Sequence, residues 1–538
     1  MNERAQHHLA PWDGLKAPSP AIPAQRPVPP AETDIVQASE SDTVQLQARR
    51  PAAKEPQRAA TSGARTAAAG RGFTPARLVT RSAWSVWAVT FAVGVVVFEW
   101  QAVVPLFSLH TLSGVLACFV LLRPSAVWRT MLLCAVEAVE LIALLPNPYS
   151  ASLLMHLSAV ALTVWYGVEL LRTRTLVHDR GAVFERIAPF LRWGFLLAWF
   201  SDAISKLNTG FLATIGSCAP DVLDDIPIVH TPQSLYGAVA IVTLVLEFAI
   251  PTLLLIRATR AIGVVLAIGW YLIIAAGGNP AHSAIMLSFV LLFVPPAVLV
   301  AAGARMRLMG RRLGRGPLRA LADSPWAPAI LAAVWLAGLT VAALLPFELS
   351  VRLSRWSAIL MTAAWLGLWI YLLLAQHRQW LTGGDRSTSL RVRDGVLIAA
   401  LGVILLNIAS PYLGYKTDGS FSQYGNLRTE AGHWNHLVIP EAVRIVDAQD
   451  HLVRLVHATG DHELLKLVDA NAGSQFVLLD AKRLLAPYPY ATLDYELDGV
   501  MHHTDRLGKD PNLGGGVDWF TDLVGRFRRV PLAPTCQF

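Results

Sequence analysis

The sequence predicts an all-α polytopic membrane protein of about eleven transmembrane helices, in a range of nine to eleven, with a small mixed or β-rich extracytoplasmic domain at its C-terminus. Three observations carry this. The 538 residues are 54% hydrophobic and only 15% charged. Their apolar residues gather in blocks of roughly 14–22, near bilayer-spanning length once the flanks are counted. The formal charge of +7 is mostly arginine strung between those blocks, not one basic patch. That distribution marks topology, so membrane lipid is the expected partner and nucleic acid is not.

Residues 1–72 come first and are rich in Pro, Ala, Gln and Arg. Stretches such as "APSPAIPAQRPVPPAETD" bury too little apolar surface to offset the entropy of ordering, so a disordered cytoplasmic tail is expected. No cleavable signal is expected either, because this segment holds no apolar core.

The spans then run Trp84–Trp100, Leu109–Leu122, Thr130–Leu145, Leu153–Leu171, Trp193–Asn208, Leu235–Ile256, Ala261–Ala276, Ala284–Val300, Ile330–Leu345, Ala358–Ala375 and Gly395–Ile408. Each reads as a helix because lipid offers no partner to backbone N–H and C=O groups. Arginine and lysine set the orientation, since cytoplasmic connections carry the excess. With the tail inside, the basic connections "LRPSAVWRT", "LRTRTLVHDRGAVFERIAPFLR", "RATR", "ARMRLMGRRLGRGPLR" and "HRQWLTGGDRSTSLRVR" all fall in the cytoplasm. Of the opposite connections, only "PFELSVRLSR" is mildly basic.

These spans group into a membrane domain over 84–300 and further helices over 330–409. An odd number of spans places 410–538 outside a cell membrane. There, short apolar runs ("HLVRLVHA", "SQFVLLD", "ATLDYELDG") alternate with Gly, Pro and Asp, which suggests the β-rich fold. Cys118 and Cys134 sit in apolar blocks and read as packing residues. Cys218 and Cys536 both fall outside, where an oxidising compartment permits a disulfide, and they are expected to pair.

One stretch points to chemistry. "AWFSDAISKLNTGF" continues an apolar run yet carries Asp202 and, four residues on, Lys206 on the same helical face. In one reading the lysine snorkels to headgroups and the aspartate neutralises it. In the other, both face an interior cavity, where burial favours a neutral amine and the carboxylate opposes it. The residues leave these two readings level. Glu247 lies mid-span before Pro251, and intramembrane acids usually line a functional interior; a protonated carboxyl bonded to a neighbouring helix is the equal alternative. Glu137 and Glu140, three apart, share a face and suit an interior polar network.

The chain then resembles a family. "ISKLNTGFL" is similar to the lysine motif in the membrane domain of vitamin K-dependent γ-carboxylase and its bacterial relatives, the horizontally transferred transmembrane (HTTM) proteins. The resemblance runs on through "LEFAIP", "RATRAIG" and "HSAIMLSFVLLFVPP", and later through "SFSQYGNLRTEAGHWNHLVIP". It covers roughly Trp84 to Pro296 and implies a quinol-dependent oxygenase or carboxylase, a carboxylase-like lyase, acting on the outer side of the membrane. Lys206 would be the base that deprotonates a reduced quinone of vitamin K or menaquinol type, and a peptide or small molecule on the outer face would be the substrate. Asp202 is outside the motif and is assigned to hold or tune the amine.

The match also has departures. The family's Asn–His pair corresponds to "LLPNPYSASLLMH", where Asn147 precedes Pro148 and His156 lies farther along. In the seventh span Trp270 and Tyr271 stand where relatives often carry histidine, and His282 is not adopted as a displaced equivalent. His433, His436, His502 and His503 read as surface or turn residues, and no metal is expected. The alternative function is a non-catalytic membrane protein that binds lipid or quinone, or supports a partner, with the same cavity.

Overall fold

A computed structural model of the chain describes residues 75–101, 108–145, 152–313, 344–376 and 388–536, apart from single positions at 177, 214, 227, 431 and 534, together with scattered positions at 330–341 and at 380. The expected tail over 1–72 and half of the expected span Ile330–Leu345 lie outside the described residues.

The helices are α1 (Pro75–Gln101), α2 (Leu109–Leu122), α3 (Val127–Leu144), α4 (Leu153–Thr173), α5 (Arg180–Ser205), the short α6 (Cys218–Asp224), α7 (Tyr236–Leu255), α8 (Arg260–Ala276), α9 (Pro280–Val290), α10 (Pro296–Leu313), α11 (Phe347–Leu374) and α12 (Gly395–Leu413). Among the described residues, six regions are long and apolar enough to cross a membrane: 78–100, 153–173, 180–205, 233–255, 349–374 and 395–413. Shorter apolar helices lie at Leu109–Leu122, Arg260–Ala276, Pro280–Phe293 and Pro296–Met306. By the length and composition of these helices the chain is a multi-pass membrane protein.

Burial agrees with a lipid environment. On α7 only Ala240, Glu247, Ile250, Pro251 and Leu254 are buried, while Ile241, Val242 and Val245 are exposed. An apolar face turned outward costs nothing in hydrocarbon, so the polar residues turn inward instead. Helix α1 is the hub, packing against α2, α5, α9 and α10.

Two departures from the expected spans have local causes. The expected single helix Ala284–Val300 breaks, because α9 passes into a 3-10 turn at Leu291–Phe293 and Val294 is extended (φ −78°, ψ 135°). Pro295 pushes the residue before it out of the helical region, and Pro296 has no N–H to continue the ladder. The Leu292 carbonyl freed by the break accepts from Arg192 Nε at 2.7 Å, and Arg192 Nη1 donates to the Ser389 carbonyl at 2.7 Å. An arginine expected in a cytoplasmic connection is therefore buried in α5. The second departure is "PFELSVRLSR", expected as a connection, which supplies the opening turns of α11. Gly278, at φ +101°, leaves the space that the Arg355 guanidinium fills.

The C-terminal part holds a five-stranded antiparallel sheet built from β1 (Leu452–Thr459), β2 (Ser474–Val477), β3 (Thr492–Leu497), β4 (Val500–Thr504) and β5 (Val530–Pro531), in the order β4-β3-β1-β2-β5. Helices α13 (His462–Ala470) and α14 (Leu478–Leu485) cover it around Val453, Leu455, Leu464, Val468 and Tyr495. A short α15 (Trp519–Val524) follows. Between α12 and β1 the chain is largely irregular, and this connection reaches the functional site. It starts at Gly414, whose left-handed conformation (φ +89°) ends α12, and a Cβ there would collide with the Val446 carbonyl oxygen.

Candidate functional site

Helix α5 starts under a firm cap. Asp179 accepts from the Gly181 N–H at 3.0 Å and pairs with Arg81 of α1 at 2.7 Å. Twenty-six residues later the helix ends at Ser205, with Lys206 as its C-cap. The terminal carbonyls are satisfied by the residues that follow and, at Ile204, also from distant sequence. Asn208 Nδ2 donates to the carbonyls of Ser205 (2.7 Å) and Gly425 (2.5 Å), and its Oδ1 accepts from the Phe211 N–H (2.8 Å). His436 Nε2 lies 3.0 Å from the Ile204 carbonyl oxygen. Its Nδ1 accepts from the N–H groups of Val438 (3.1 Å) and Ile439 (2.8 Å), which makes Nε2 the protonated donor. Burial pushes the His436 imidazole below its ordinary value, and the Ile204 carbonyl only partly opposes this.

The brace fixes Lys206, which is only 2% exposed. Its Nζ lies 2.7 Å from Asp202 Oδ2 and 3.0 Å from Glu247 Oε2, and it donates to the Gln423 carbonyl at 3.2 Å. Three acceptors thus surround a group with three donors. The structure brings Asp202, Lys206 and Glu247 together, across α5 and α7. Asp202 keeps its side chain 30% exposed, and its Oδ1 has no hydrogen-bond partner among the described residues.

These three residues face a cavity of about 370 Å³ whose wall is predominantly apolar. Aromatic rings line it edge to face: Phe195 against Trp199 at 5.2 Å, Trp199 against Tyr271 at 5.2 Å, and Tyr271 against His282 at 5.7 Å. Phe211 lies 5.9 Å from Lys206 Nζ, near enough for a cation–π contact. Tyr424 closes the wall from the α12–β1 connection, and burial pushes its phenol above the ordinary value. Val242, on the exposed face of α7, also lines the cavity.

Cys218 also lines the cavity and is joined to Cys536 by a disulfide. Its N–H donates to Asn426 Oδ1 at 2.8 Å. The disulfide ties the end of the chain to the α5–α7 connection, over the site. Sequence reasoning missed the bracing set of Asn208, Asn426, His436 and Asn435, whose Nδ2 donates to Asn208 Oδ1 (3.2 Å) and to the Asn426 carbonyl (2.8 Å); the only signal was the resemblance carried by "SFSQYGNLRTEAGHWNHLVIP". His282, set aside in the sequence, lines the cavity beside Trp270 and Tyr271. The other histidines have separate partners. His503 bonds to Asp494 (2.6 Å) and Asp505 (3.0 Å), and His502 stacks on Tyr495.

Compared with known proteins, the chain matches no family model, no curated protein and no solved structure.

Proposed function

We propose that the protein is a membrane enzyme that moves a proton at the Asp202–Lys206–Glu247 triad, with a largely apolar ring compound of the reduced quinone type as its ligand. The observation that carries the reading is the triad itself: one cation and two carboxylates buried at the wall of an aromatic cavity. A site of that composition holds an apolar body while a few convergent polar groups fix its orientation.

A reduced quinone, when bound, supplies an oxidisable ring bearing a dissociable hydroxyl. Phe195, Trp199 and Tyr271 would hold the ring, and the resemblance to the carboxylase membrane domain points the same way. Within the triad the roles divide by geometry. Lys206 Nζ sits between two carboxylates at ion-pair distance and donates to a carbonyl, so its resting form is the ammonium. Asp202 Oδ1 and Glu247 Oε2 both lack a hydrogen-bond partner among the described residues, and Oδ1, on the more exposed of the two side chains, is the atom assigned to receive a proton. Lys206 then supplies positive charge where negative charge develops, and becomes a base only if a carboxylate beside it takes its proton. Glu247 holds the ammonium in place from the opposite helix.

The buried, ion-paired ammonium equally favours a second reading, in which the triad is an anchor and the cavity binds lipid or quinone without chemistry. Oxygen-dependent conversion of reduced menaquinone to its epoxide, by purified protein in nanodiscs, separates the two. The enzyme reading expects epoxide from wild type and at least a hundredfold less from Asp202→Asn and Lys206→Met. No epoxide from folded wild type, with quinone still quenching the fluorescence of Trp199 and Trp270, leaves only the binding role.

A further inference from the structure

A second polar cluster lies apart from the Lys206 triad. Glu99 ends α1, His110 opens α2, Glu137 and Glu140 lie in the last two turns of α3, and His156 sits in the first turn of α4. Four of the five are at most 1% exposed. His110 Nδ1 lies 2.9 Å from Glu99 Oε2 and 2.6 Å from Glu140 Oε1, and Ser113 Oγ donates to Glu140 Oε2 at 3.2 Å. On the other side, His156 Nε2 is 3.4 Å from Glu137 Oε2 and 3.9 Å from Glu140 Oε1.

Part of this cluster is unsatisfied. Both carboxylate oxygens of Glu137 and both ring nitrogens of His156 have no hydrogen-bond partner among the described residues. Buried polar groups are rarely left this way, since each orphan costs about 1–3 kcal/mol. One ligand atom from each of Glu137, Glu140 and His156 lies within 4.8 Å of the others. Three carboxyl groups share this cluster with two imidazoles and no lysine or arginine, so in a low-dielectric interior its charge calls for a cation.

We infer that Glu137, Glu140 and His156 bind a divalent first-row transition ion. The donor set is oxygen and imidazole nitrogen without thiolate, which suits Fe(II), Mn(II), Co(II) or Zn(II) and not a soft Cu(I) site. Carboxylate and imidazole ligands projecting inward from facing helices are an established way to build such a centre in a bundle, and here α3 supplies two glutamates three residues apart while α4 supplies the histidine. His110 and Glu99 hold Glu140 from outside, as carboxylate–imidazole partners of ligands commonly do. The ion would sit on the far side of α4 from the triad, where Leu154 is part of the triad's cavity wall.

The test uses the full chain in nanodiscs, loaded anaerobically with Co(II), freed of loose ions, and measured for bound cobalt and for its visible absorption. About one equivalent of cobalt is expected, with ligand-field bands. Retention should fall at least tenfold in Glu137→Gln and in His156→Gln; two substitutions are used so that loss of folding in one leaves the other to decide. His110→Ala, a positioning change, should weaken binding about 10–100-fold and shift the bands without abolishing them. Lys206→Met should bind cobalt as wild type does, which keeps this site distinct from the triad. Folded wild type that retains no more cobalt than empty nanodiscs, or folded Glu137→Gln and His156→Gln that retain it fully, would overturn the proposal.

Discussion

Glu247, at the middle of α7, places its carboxylate 3.0 Å from the amine of Lys206 at the end of α5. An ion pair between two helices, at this depth, is held by its partners more than by its own attraction. Lys206→Ala should therefore lower stability by about 3–5 kcal/mol, because it strands two carboxylates beside an apolar cavity. Adding Glu247→Gln should recover part of that loss, as coupled neighbours do. Unfolding of the single and double variants in nanodiscs checks this. A Lys206→Ala protein as stable as wild type would show that the triad contributes no structural anchoring.

Acid should loosen the brace at His436. Its neutral form is required because Nδ1 accepts two backbone N–H groups, a role that protonation ends, whereas the Nε2 contact with the Ile204 carbonyl survives protonation. Burial lowers the folded-state value below the unfolded one of about 6.5. The sign follows: the stabilisation is complete above about pH 6.5 and is lost as pH falls through the folded-state value. Hydrogen exchange at Val438 and Ile439 should quicken as pH falls below about 6.5, after correction for the intrinsic rate. In His436→Gln the same amides should show no such acid-dependent step. A step that persists in the variant would assign the transition to another group.

The Cys218–Cys536 disulfide closes a sequence separation of 318 residues. Thiol labelling of the denatured, non-reduced protein should find only Cys118 and Cys134, which are buried and free in the fold. Cys536→Ser should cost about 2–4 kcal/mol and release the chain end from above the cavity. Four reactive thiols without reductant would refute the bridge.

Much of this architecture was legible because helices in lipid are written as apolar blocks; Leu109–Leu122 and the starts at Leu153 and Gly395 coincide with the structure. The Asp202–Lys206 pair was legible for the same local reason, as residues four apart on one helix share a face. Glu247 was visible as an acid in the wrong solvent, but its partner was not, because α5 and α7 meet only in three dimensions. The same limit hid the link between His156 and the Glu137–Glu140 pair, since no periodicity relates residues on separate helices. The break after Phe293 was written plainly in "VPP", yet the apolar run on either side of it reads as one span. The order of the C-terminal sheet is non-local as well: β1 pairs with β2 and β3, and β5 arrives from the chain end.

The break gives a last prediction. Arg192 Nε and Nη1 each reach a carbonyl at 2.7 Å, one at the break and one before α12. Lysine carries a charge of the same sign but cannot present a planar fork to two acceptors. Arg192→Lys should thus leave one carbonyl unpaired in a buried place and destabilise the protein by about 1–3 kcal/mol. Arg192→Met removes the buried charge as well but strands both carbonyls, so it should cost more than the lysine variant. Thermal unfolding of the two variants orders them. Equal stability of wild type and Arg192→Lys would mean that a single donor suffices to close the break between α9 and α10.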